Sequence, residues 1–556
     1  MKALARHIMS RLGIGGGLLL LIVITTGFAL TLETDHYFKI TKSIETFGNV
    51  YKEITQNYVD EVDPEKFMRA GIDGMLETLD PYTVFLDEDE REQMDLITTG
   101  KYAGIGVSIG IRDGKIVVIG LMDGYSAQRQ GIKEGDRFLR VNNISVTGMK
   151  LDSVRALVRG DAGTEVQISI EREGEQKPLE FVLVREEIQL KNVTYYNIVQ
   201  PGIGYIRLER FTRTAGDEMR QALNALQSSG SLQGIILDLR DNPGGLLDMA
   251  VDVVEKFVPK GSLIVSTHGR HPEAERKYIA TEDPMTTLPL AVLVNRNSAS
   301  ASEIVAGALQ DLDRGFIIGT RTFGKGLVQA VVPISQEGAE LKLTTARYYT
   351  PSGRSIQEID YLHKREGVVS TIPDSLRKVY QTTHHRRVLD AGGVQPDSTV
   401  QADTTNRYIT ALFRTAKFFS FANYYIARHK DPGSDFIFDS TIVDEFRNYL
   451  DAQKFDYEDE CDVKLKELHQ LALKGQYTST FMTHLDQLAH MIEIEKTKTF
   501  EKNRRIISTA LKIELMGRFK GEHGRIEASF SDDQVLLTAV GILKNSRLYE
   551  KKLGIQ

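Results

Sequence analysis

At 556 residues the chain is too long for one ordinary domain, and three or four domains are expected. Apolar residues make up 41% and charged residues 26%, as in a globular protein, and a net charge of −7 argues against binding to nucleic acid. The single cysteine, Cys461, excludes an intramolecular disulfide and a metal site built from cysteines.

The first 32 residues have the pattern of an export segment. Three basic residues, Lys2, Arg6 and Arg11, precede an uncharged stretch over residues 12–32. This stretch is either a signal peptide, cleaved near Ala29, or a membrane anchor whose basic flank stays inside. Both interpretations export the rest of the chain, so we expect it in the periplasm or cell envelope, anchored in the inner membrane if the segment is not cleaved.

Residues 33–88 form a predicted N-terminal helical segment. Ile40, Ile44 and Phe47 share one helical face, and Asp63 followed by Pro64 has the pattern of a helix cap with proline at the first helical position.

Residues 89–187 have the pattern of a small β-rich domain. Strands are expected over residues 106–111, 115–121, 137–141, 166–171 and 179–184. Short helices are expected over residues 126–130 and 151–159.

Residues 188–400 alternate between strand and helix, which predicts an α/β core. Strands are expected over residues 204–208, 234–239, 290–294 and 316–319, and helices over residues 215–226 and 246–258. Near residue 312, Asp311 and Arg314 are expected to form a structural ion pair rather than a catalytic group.

Residues 401–556 are charged and mostly helical, and we expect them to form a C-terminal domain that packs on the body. Oligomerisation or binding of an adaptor is the alternative role. An aromatic cluster is expected from Phe418, Phe419, Phe421, Tyr424 and Tyr425.

A serine-rich turn separates the apolar strand at 290–294 from the helix that follows, and it offers Ser298, Ser300 and Ser302. A serine hydroxyl at a helix N-terminus lies near unpaired backbone N–H groups that can stabilise an oxyanion. After the next strand, Lys325 lies between two glycines. A lysine acts as general base when desolvation lowers its pKa from about 10.4 towards roughly 7–8, and Ser–Lys pairs are a known variant of the Ser-His-Asp triad. Taken singly, the serine could be only a helix cap and the lysine only a solvated side chain.

The stretch 298–309, together with residues 322–326 and Gln329, closely resembles the carboxy-terminal processing (tail-specific) Ser–Lys peptidases. In that family the nucleophile and the base are 25 positions apart, as Ser300 and Lys325 are here. The resemblance implies that Ser300 is the nucleophile, that Lys325 is the base and that Gln329 positions the lysine.

Residues 238–245 resemble a second motif of the same family, and the family landmarks recur in order over roughly residues 40–400. The resemblance implies that the N–H groups of Gly245 and Ala301 form the oxyanion hole. A tight turn is the alternative for a Gly-Gly pair.

Residues 102–107 resemble the carboxylate-binding loop of PDZ domains, and residues 131–136 resemble their next landmark. Glycines let backbone N–H groups converge on a terminal carboxylate, and an exposed strand edge accepts an extended peptide. Arg159, at the end of the second helix of this domain, is a candidate for coupling peptide occupancy to the active site, with a solvated arginine as the alternative. The resemblance implies peptide binding by Gly104, Ile105, Gly106 and Val107.

The sequence therefore predicts an α+β multidomain protein, with a PDZ domain before an α/β (crotonase/ClpP-like) peptidase core and helical segments at both ends. The expected activity is that of an exported serine endopeptidase that recognises the C-termini of protein or peptide substrates. No cofactor and no metal are required, and the metalloprotease and nucleotide-binding motifs are absent from the sequence. The alternatives are a non-catalytic envelope scaffold that binds peptides and, less compatible with the PDZ segment, a crotonase-like acyl-CoA enzyme.

Overall fold

The computed structural model describes residues 37–334, 338–365, 368–401, 406–429 and 435–555. The predicted signal peptide or membrane anchor lies outside the described residues. Within these ranges no helix combines the length and the apolar character that crossing a membrane requires. The chain divides into a unit that ends at Phe85 and a unit that begins at Leu86.

The first unit is helical, as predicted. It is helical over residues 37–57 and again over Pro64–Leu76. The carboxylate of Asp63 accepts hydrogen bonds from the backbone N–H groups of Glu65 and Lys66, so the predicted cap is confirmed. A short strand follows at Val84–Leu86.

The second unit begins with a helix, Glu88–Thr99, and a small antiparallel sheet. The strands of this sheet are, in spatial order, Val107–Arg112, Lys115–Leu121, Arg137–Val141, Glu165–Glu171 and Leu179–Val184, with Ile144–Ser145 paired to the third. Two helices, Ser126–Arg129 and Leu151–Val158, cover its core. The sequence missed the pair Lys101–Gly104 and Glu186–Gln189, where the chain enters and leaves this domain.

The core of the second unit is a mostly parallel sheet. Its strands are, in spatial order, Val193–Gln200, Ile203–Leu208, Gly234–Asp238, Leu290–Val294, Phe316–Gly319 and Ser398–Thr399. Only the first pair is antiparallel. The helices of this core are Ala215–Ser228, Leu247–Glu255 and Ala301–Asp311, and the last is called the serine helix below. The central strands are buried on both faces, which explains their continuous apolar runs.

A second, antiparallel sheet lies beside this core. It contains Leu263–Gly269, Arg276–Ile279, Leu327–Pro333 and Glu340–Tyr349. Smaller hairpins pair Ile359–Arg365 with Val368–Thr371 and Val379–Gln381 with Arg387–Leu389. Single 3₁₀ turns lie at Pro272–Ala274 and Asp374–Leu376.

The remaining chain is helical, as predicted. Its helices are Arg407–Arg414, Lys417–Arg428, Thr441–Ala452, Glu460–Lys474, Ser479–Thr497, Thr499–Lys502, Arg504–Ser529, Gln534–Leu543 and Ser546–Leu553, with a 3₁₀ turn at Phe530–Asp532. Four of the five predicted aromatic residues pack in one cluster, but Phe419 does not belong to it. Leu536, Ala539 and Leu543 pack on the parallel sheet.

One predicted contact is wrong. Asp311 pairs with Arg354, at 2.8 Å with both side chains buried, and not with Arg314. Arg314 lies beyond the end of the serine helix and donates to the backbone carbonyl groups of Phe257, Thr286 and Leu288. The rest of the predicted arrangement, an α/β core after a β-rich domain with helical segments at both ends, is confirmed.

Candidate active site

Ser300 lies where the buried strand Leu290–Val294 turns into the serine helix, and its backbone is unusual. Its φ of 55° and ψ of −111° are in a region that non-glycine residues rarely adopt. Such backbone strain costs about 1–3 kcal/mol and persists only where the surroundings hold it. The serine turn (residues 298–302) must therefore be fixed by its neighbours.

The three serines of this turn have different environments. Ser298 and Ser302 are fully buried, and their hydroxyl groups donate to the carbonyl oxygens of Leu239 and Asn242, at 2.8 and 2.9 Å. Ser300 is only half-buried. The structure thus gives two of the serines structural hydrogen bonds and leaves Ser300 accessible.

A buried carboxylate, that of Glu303, holds the serine turn against the lysine loop (residues 322–326). Its Oε2 accepts the backbone N–H groups of Ser300 and Lys325, each at 2.9 Å. Its Oε1 accepts the Thr322 hydroxyl at 2.6 Å and the Gly324 N–H at 2.7 Å. The backbone nitrogens of Ser300 and Lys325 therefore bind to the same carboxylate oxygen, which holds the two segments side by side. Burial raises the pKa of the Glu303 carboxyl, and these four hydrogen bonds oppose the rise.

Tyr348 provides a second support for the strained turn. Its hydroxyl donates to the carbonyl oxygen of Ser300 at 3.1 Å, and its own N–H donates to the carbonyl of Gly326 at 3.0 Å. Tyr348 therefore contacts both the serine turn and the end of the lysine loop.

The glycine turn (residues 242–245) packs directly on the serine turn. A Cβ at Gly244 would lie 2.9 Å from the backbone nitrogen of Ala301, and a Cβ at Gly245 would lie 2.4 Å from the carbonyl oxygen of Phe211. The positive φ values of these glycines, 103° and 149°, are a second reason why other residues would be strained there. The close approach places this turn beside the N-terminus of the serine helix.

Asn242 fastens the glycine turn to the serine turn. Its carbonyl oxygen accepts the N–H of Ala299 at 3.0 Å and the hydroxyl of Ser302 at 2.9 Å. Its side chain accepts the N–H of Gly244 and donates to the carbonyl of Leu208.

Two backbone donors in this region have no acceptor within the described part of the chain. They are the N–H groups of Gly245 and Ala301. Unpaired N–H groups beside a half-buried serine hydroxyl form a site that can stabilise a negatively charged oxygen.

Gln329 lies in the strand that follows the lysine loop. Its side-chain amide donates to the hydroxyl of Thr344, at 3.2 Å, across the pair of strands Leu327–Pro333 and Glu340–Tyr349. Gln329, four residues after Lys325 in the sequence, therefore lies near the start of an antiparallel pair of strands.

Sequence reasoning missed the supporting residues of this site, namely Glu303, Asn242 and Tyr348. A signal for Glu303 was present, because an acidic residue three positions after a serine at a helix start is a capping-box pattern. For Asn242 and Tyr348 the single sequence holds no comparable signal, since their main partners, Ala299, Ser302 and Ser300, lie far away in the sequence.

Comparison with known proteins decides the family. A carboxy-terminal-processing protease of Bartonella bacilliformis is 39% identical over 335 residues, which cover 60% of this chain and 76% of the relative. The chain belongs to the carboxy-terminal-processing protease family. The carboxy-terminal processing protease CtpB of Bacillus subtilis is 29% identical over 85% of this chain and 89% of its own.

Family models divide the protease along its length. Peptidase family S41 matches residues 202–371, the PDZ domain model matches residues 93–171, and the model for a C-terminal helical domain of probable PDZ-proteases matches residues 408–543. The N-terminal domain model of the activating protease CtpB matches residues 29–90. Among solved structures, the photosystem II D1 C-terminal processing protease is 28% identical, covering 64% of this chain and 92% of its own, with a TM-score of 0.36. The protein is a serine-type peptidase with a PDZ domain.

The predicted peptide-binding residues of the protease lie at an open edge of the PDZ sheet. Strand Val107–Arg112 pairs on one side only among the described residues. Before it, the carbonyl oxygens of Ile105 and Gly106 accept the N–H groups of Ala127 and Met122, at 3.0 and 2.9 Å. In the described part of the protease, the N–H groups of Ile105 and Gly106 meet no acceptor. Gly104 and Ile105 are themselves buried, and Val107 is half-buried.

Arg159 lies at the end of the helix Leu151–Val158, beside the first residue of the stretch 102–107. Its guanidinium lies 5.3 Å from the ring centre of Tyr102, in the strand that enters the PDZ domain. Burial raises the pKa of the Tyr102 hydroxyl, and the positive charge of Arg159 lowers it. Arg159 is therefore in contact with the connection between the PDZ domain and the peptidase core.

Proposed function

We propose that this protease is an exported endopeptidase that captures the C-terminal tails of proteins with its PDZ domain and cleaves peptide bonds with a Ser300–Lys325 dyad. The observation that carries the proposal is the Glu303 carboxylate, which binds the backbone of both residues beside two unpaired N–H groups. A buried carboxylate that accepts hydrogen bonds from both the serine turn and the lysine loop fixes the position of one relative to the other, and a catalytic pair needs such a fixed position.

In the proposed reaction, Ser300 Oγ attacks the carbonyl carbon of the scissile bond, and neutral Lys325 accepts the hydroxyl proton. The carbonyl oxygen becomes an oxyanion, which the N–H groups of Gly245 and Ala301 stabilise. The C–N bond then breaks, and Lys325 gives its proton to the leaving amine. Water hydrolyses the acyl ester and regenerates Ser300. Gln329 keeps the lysine in position.

Substrate capture uses the edge of the PDZ sheet. The tail of the substrate adds as an extended strand to Val107–Arg112, and its terminal carboxylate is bound by the backbone of residues 104–107. Arg159, which lies over the ring of Tyr102, couples binding of the tail to the peptidase core.

Replacing Arg159 by Ala should lower tail-stimulated cleavage, and unchanged stimulation would contradict this role.

The proposed domains are an export segment at 1–32, an N-terminal helical segment at 33–88, a PDZ domain at 89–187, a peptidase core at 188–400 and a helical domain at 401–556. Export to the periplasm or cell envelope is supported by Lys2, Arg6 and Arg11 before an uncharged stretch of membrane length. Assembly into a homo-oligomer, or with an adaptor, would use the helical terminal segments.

The test uses the purified full chain in detergent with an unfolded protein that ends in an apolar tail. We expect cleavage by the wild type and a loss of at least about 10³-fold in kcat for Ser300→Ala and for Lys325→Ala. Ser302→Ala is the comparison variant, since it removes from the same turn a hydroxyl that bonds to Asn242 and is not the proposed nucleophile, and it should keep far more activity than Ser300→Ala. A folded Ser300→Ala variant with wild-type activity would refute the dyad, and tail binding without cleavage by any variant would favour the scaffold.

A further inference from the structure

The helix Arg504–Ser529 and the turn after it contact both the PDZ domain and the parallel sheet of the core. Arg518 and Arg525 lie against the PDZ domain, whereas Glu527 lies against the sheet. Gly521, with a φ of 66°, marks a kink in this helix. Because of the kink, one continuous segment can contact both the PDZ domain and the parallel sheet.

At the PDZ end, the contact is a buried network of charges. Glu134 Oε2 lies 2.9 Å from Arg518 Nε and 3.1 Å from an Arg525 guanidinium nitrogen. Arg518 also donates to the carbonyl oxygen of Glu134 at 2.7 Å. The side chains of Arg518 and Glu134 are 3% and 16% exposed. Glu514 of the same helix also pairs with Arg518 and Arg525, at 3.2 and 3.4 Å, and Glu134 is the carboxylate that the PDZ domain adds to this network. Separating the two domains would break both ion pairs of Glu134, so the network resists separation.

The surfaces around this network also fit closely. A Cβ at Gly135 would lie 2.3 Å from the side-chain oxygen of Asn423, so the PDZ turn touches the helical domain where only glycine fits. Phe419, which is not part of the aromatic cluster, has Arg518 4.4 Å from its ring centre and Arg112 of the PDZ domain at 5.7 Å. The contact is therefore specific in shape as well as in charge.

At the core end, the segment contacts the parallel sheet at its edge strand and at the end of the strand Gly234–Asp238. Glu527 accepts the hydroxyl of Tyr195 at 3.0 Å. Asp533, at the start of the next helix, lies 2.7 Å from Arg240, and Arg240 lies 2.5 Å from the fully buried Asp238. Asp238 also accepts the hydroxyl of Tyr205 at 2.6 Å.

Arg240 lies two residues before Asn242, which holds the serine and glycine turns together. The carbonyl of Asn242 accepts from Ala299 and Ser302, and its side chain accepts from Gly244. A continuous series of contacts therefore joins Glu134 of the PDZ domain to the turns of the active site.

We propose that the C-terminal helical domain is a mechanical link through which the position of the PDZ domain, and hence tail occupancy, controls the serine and glycine turns. This inference rests on the proposed function, because it assigns the regulation of the same site. The link has two ends, Glu134 and Asp533, and breaking either end removes the coupling that passes through the helical domain, which is separate from the contact of Arg159 with Tyr102. Energetic coupling of this kind is carried by packed and hydrogen-bonded elements, and its size in proteins is commonly 5- to 150-fold.

The test compares Glu134→Gln, Asp533→Asn and the double variant. Both changes remove a charge at nearly constant size, and Asn at position 533 still caps the helix that follows. We expect each single variant to lower the ratio of kcat/KM for a tail-bearing over a tail-less substrate by about 10-fold. The double variant should be no lower than the lower single variant, because both changes break one link.

Glu173→Gln is the matched control. Its pair with Arg428 lies in the same interface, but the two atoms are 3.7 Å apart and both side chains are about half exposed. We expect this variant to keep the wild-type ratio. An unchanged ratio in either single variant, or a double variant whose loss is the product of the two single losses, would overturn the proposal.

A second measurement does not depend on catalysis. In a Ser300→Ala background, adding a tail peptide should slow amide hydrogen exchange over residues 240–245 by about 10-fold, and Glu134→Gln should greatly reduce this change. If the wild type fails to cleave while the exchange effect is present, the dyad is wrong and the link stands. If the wild type cleaves and Glu134→Gln leaves the exchange effect intact, the link is wrong and the dyad stands.

Discussion

The serine turn and the PDZ loop at residues 104–107 use the same device for different purposes. Both expose backbone N–H groups without acceptors among the described residues, and a glycine packs closely at each, Gly244 against the serine turn and Gly106 against Tyr125. The serine turn is held on several sides, by Glu303, Asn242 and Tyr348. The PDZ loop is held by the carbonyl groups of Ile105 and Gly106 and by the strand pairing of Gly104 with Glu186, and among the described residues the edge of the adjoining strand stays open. Fixed donors suit a covalent reaction, whereas an open edge suits a ligand that arrives as a strand.

Among changes to the residues that support the two loops, the largest effect should come from removing the charge that fixes the serine turn. In Glu303→Gln, the amide group can no longer accept from all four donors, and each unsatisfied group costs about 1–3 kcal/mol. We expect kcat to fall by about 10²–10³-fold with little change in KM, measured on a tail-less substrate. Glu303→Asp is the control, since it keeps the charge and should retain more activity. Wild-type kcat in a folded Glu303→Gln variant would show that the serine turn does not need this support.

A smaller effect, confined to tail-bearing substrates, should follow from changing the PDZ loop. A Cβ at Gly106 would lie 2.4 Å from Cβ of Tyr125, and its φ is 80°. We expect Gly106→Ala to raise KM for a tail-bearing substrate about 10-fold and to leave tail-less cleavage unchanged, as steady-state kinetics would show. Gly114 also has a positive φ, 72°, but a Cβ at this position would meet no other atom within 4 Å, so Gly114→Ala separates backbone strain from the clash. If Gly106→Ala and Gly114→Ala had equal effects on KM, the PDZ loop would have no role in tail binding.

The smallest effect should come from Tyr348→Phe. It removes one neutral hydrogen bond to Ser300, a net loss of about 1 kcal/mol, and we expect kcat to fall about 5-fold. Tyr349→Phe is the control, because the ring of this neighbour packs edge to face against His268 instead. If Tyr348→Phe lowered only the melting temperature and kept kcat, Tyr348 would support the fold and not the serine turn.

Much of the fold could be predicted because the strongest patterns come from buried elements. The strands Leu290–Val294 and Phe316–Gly319 have the predicted bounds, since strands covered on both faces are continuous apolar runs. The strands Lys101–Gly104 and Glu186–Gln189 were missed, because they pair across the whole PDZ domain and only tertiary contact defines them.

The candidate site could be predicted only in part. Residue spacing singled out Ser300 through a family resemblance, but the sequence held no reason why Ser298 and Ser302 should be engaged elsewhere. That reason is their burial against Leu239 and Asn242. The contact of Glu134 with Arg518 joins residues far apart in the chain, and no periodicity marks such a pair.

The left-handed backbone at Ser300, the proposed nucleophile, also limits which side chains this position can hold. A β-branched residue at φ 55° would place a second branch against its own backbone, so threonine is excluded by conformation although its hydroxyl is chemically similar. Cysteine has the same unbranched shape as serine and fits the turn. The exchange of a serine enzyme for a cysteine enzyme is therefore open to this fold at a single position, whereas the exchange for a threonine enzyme would require a different turn.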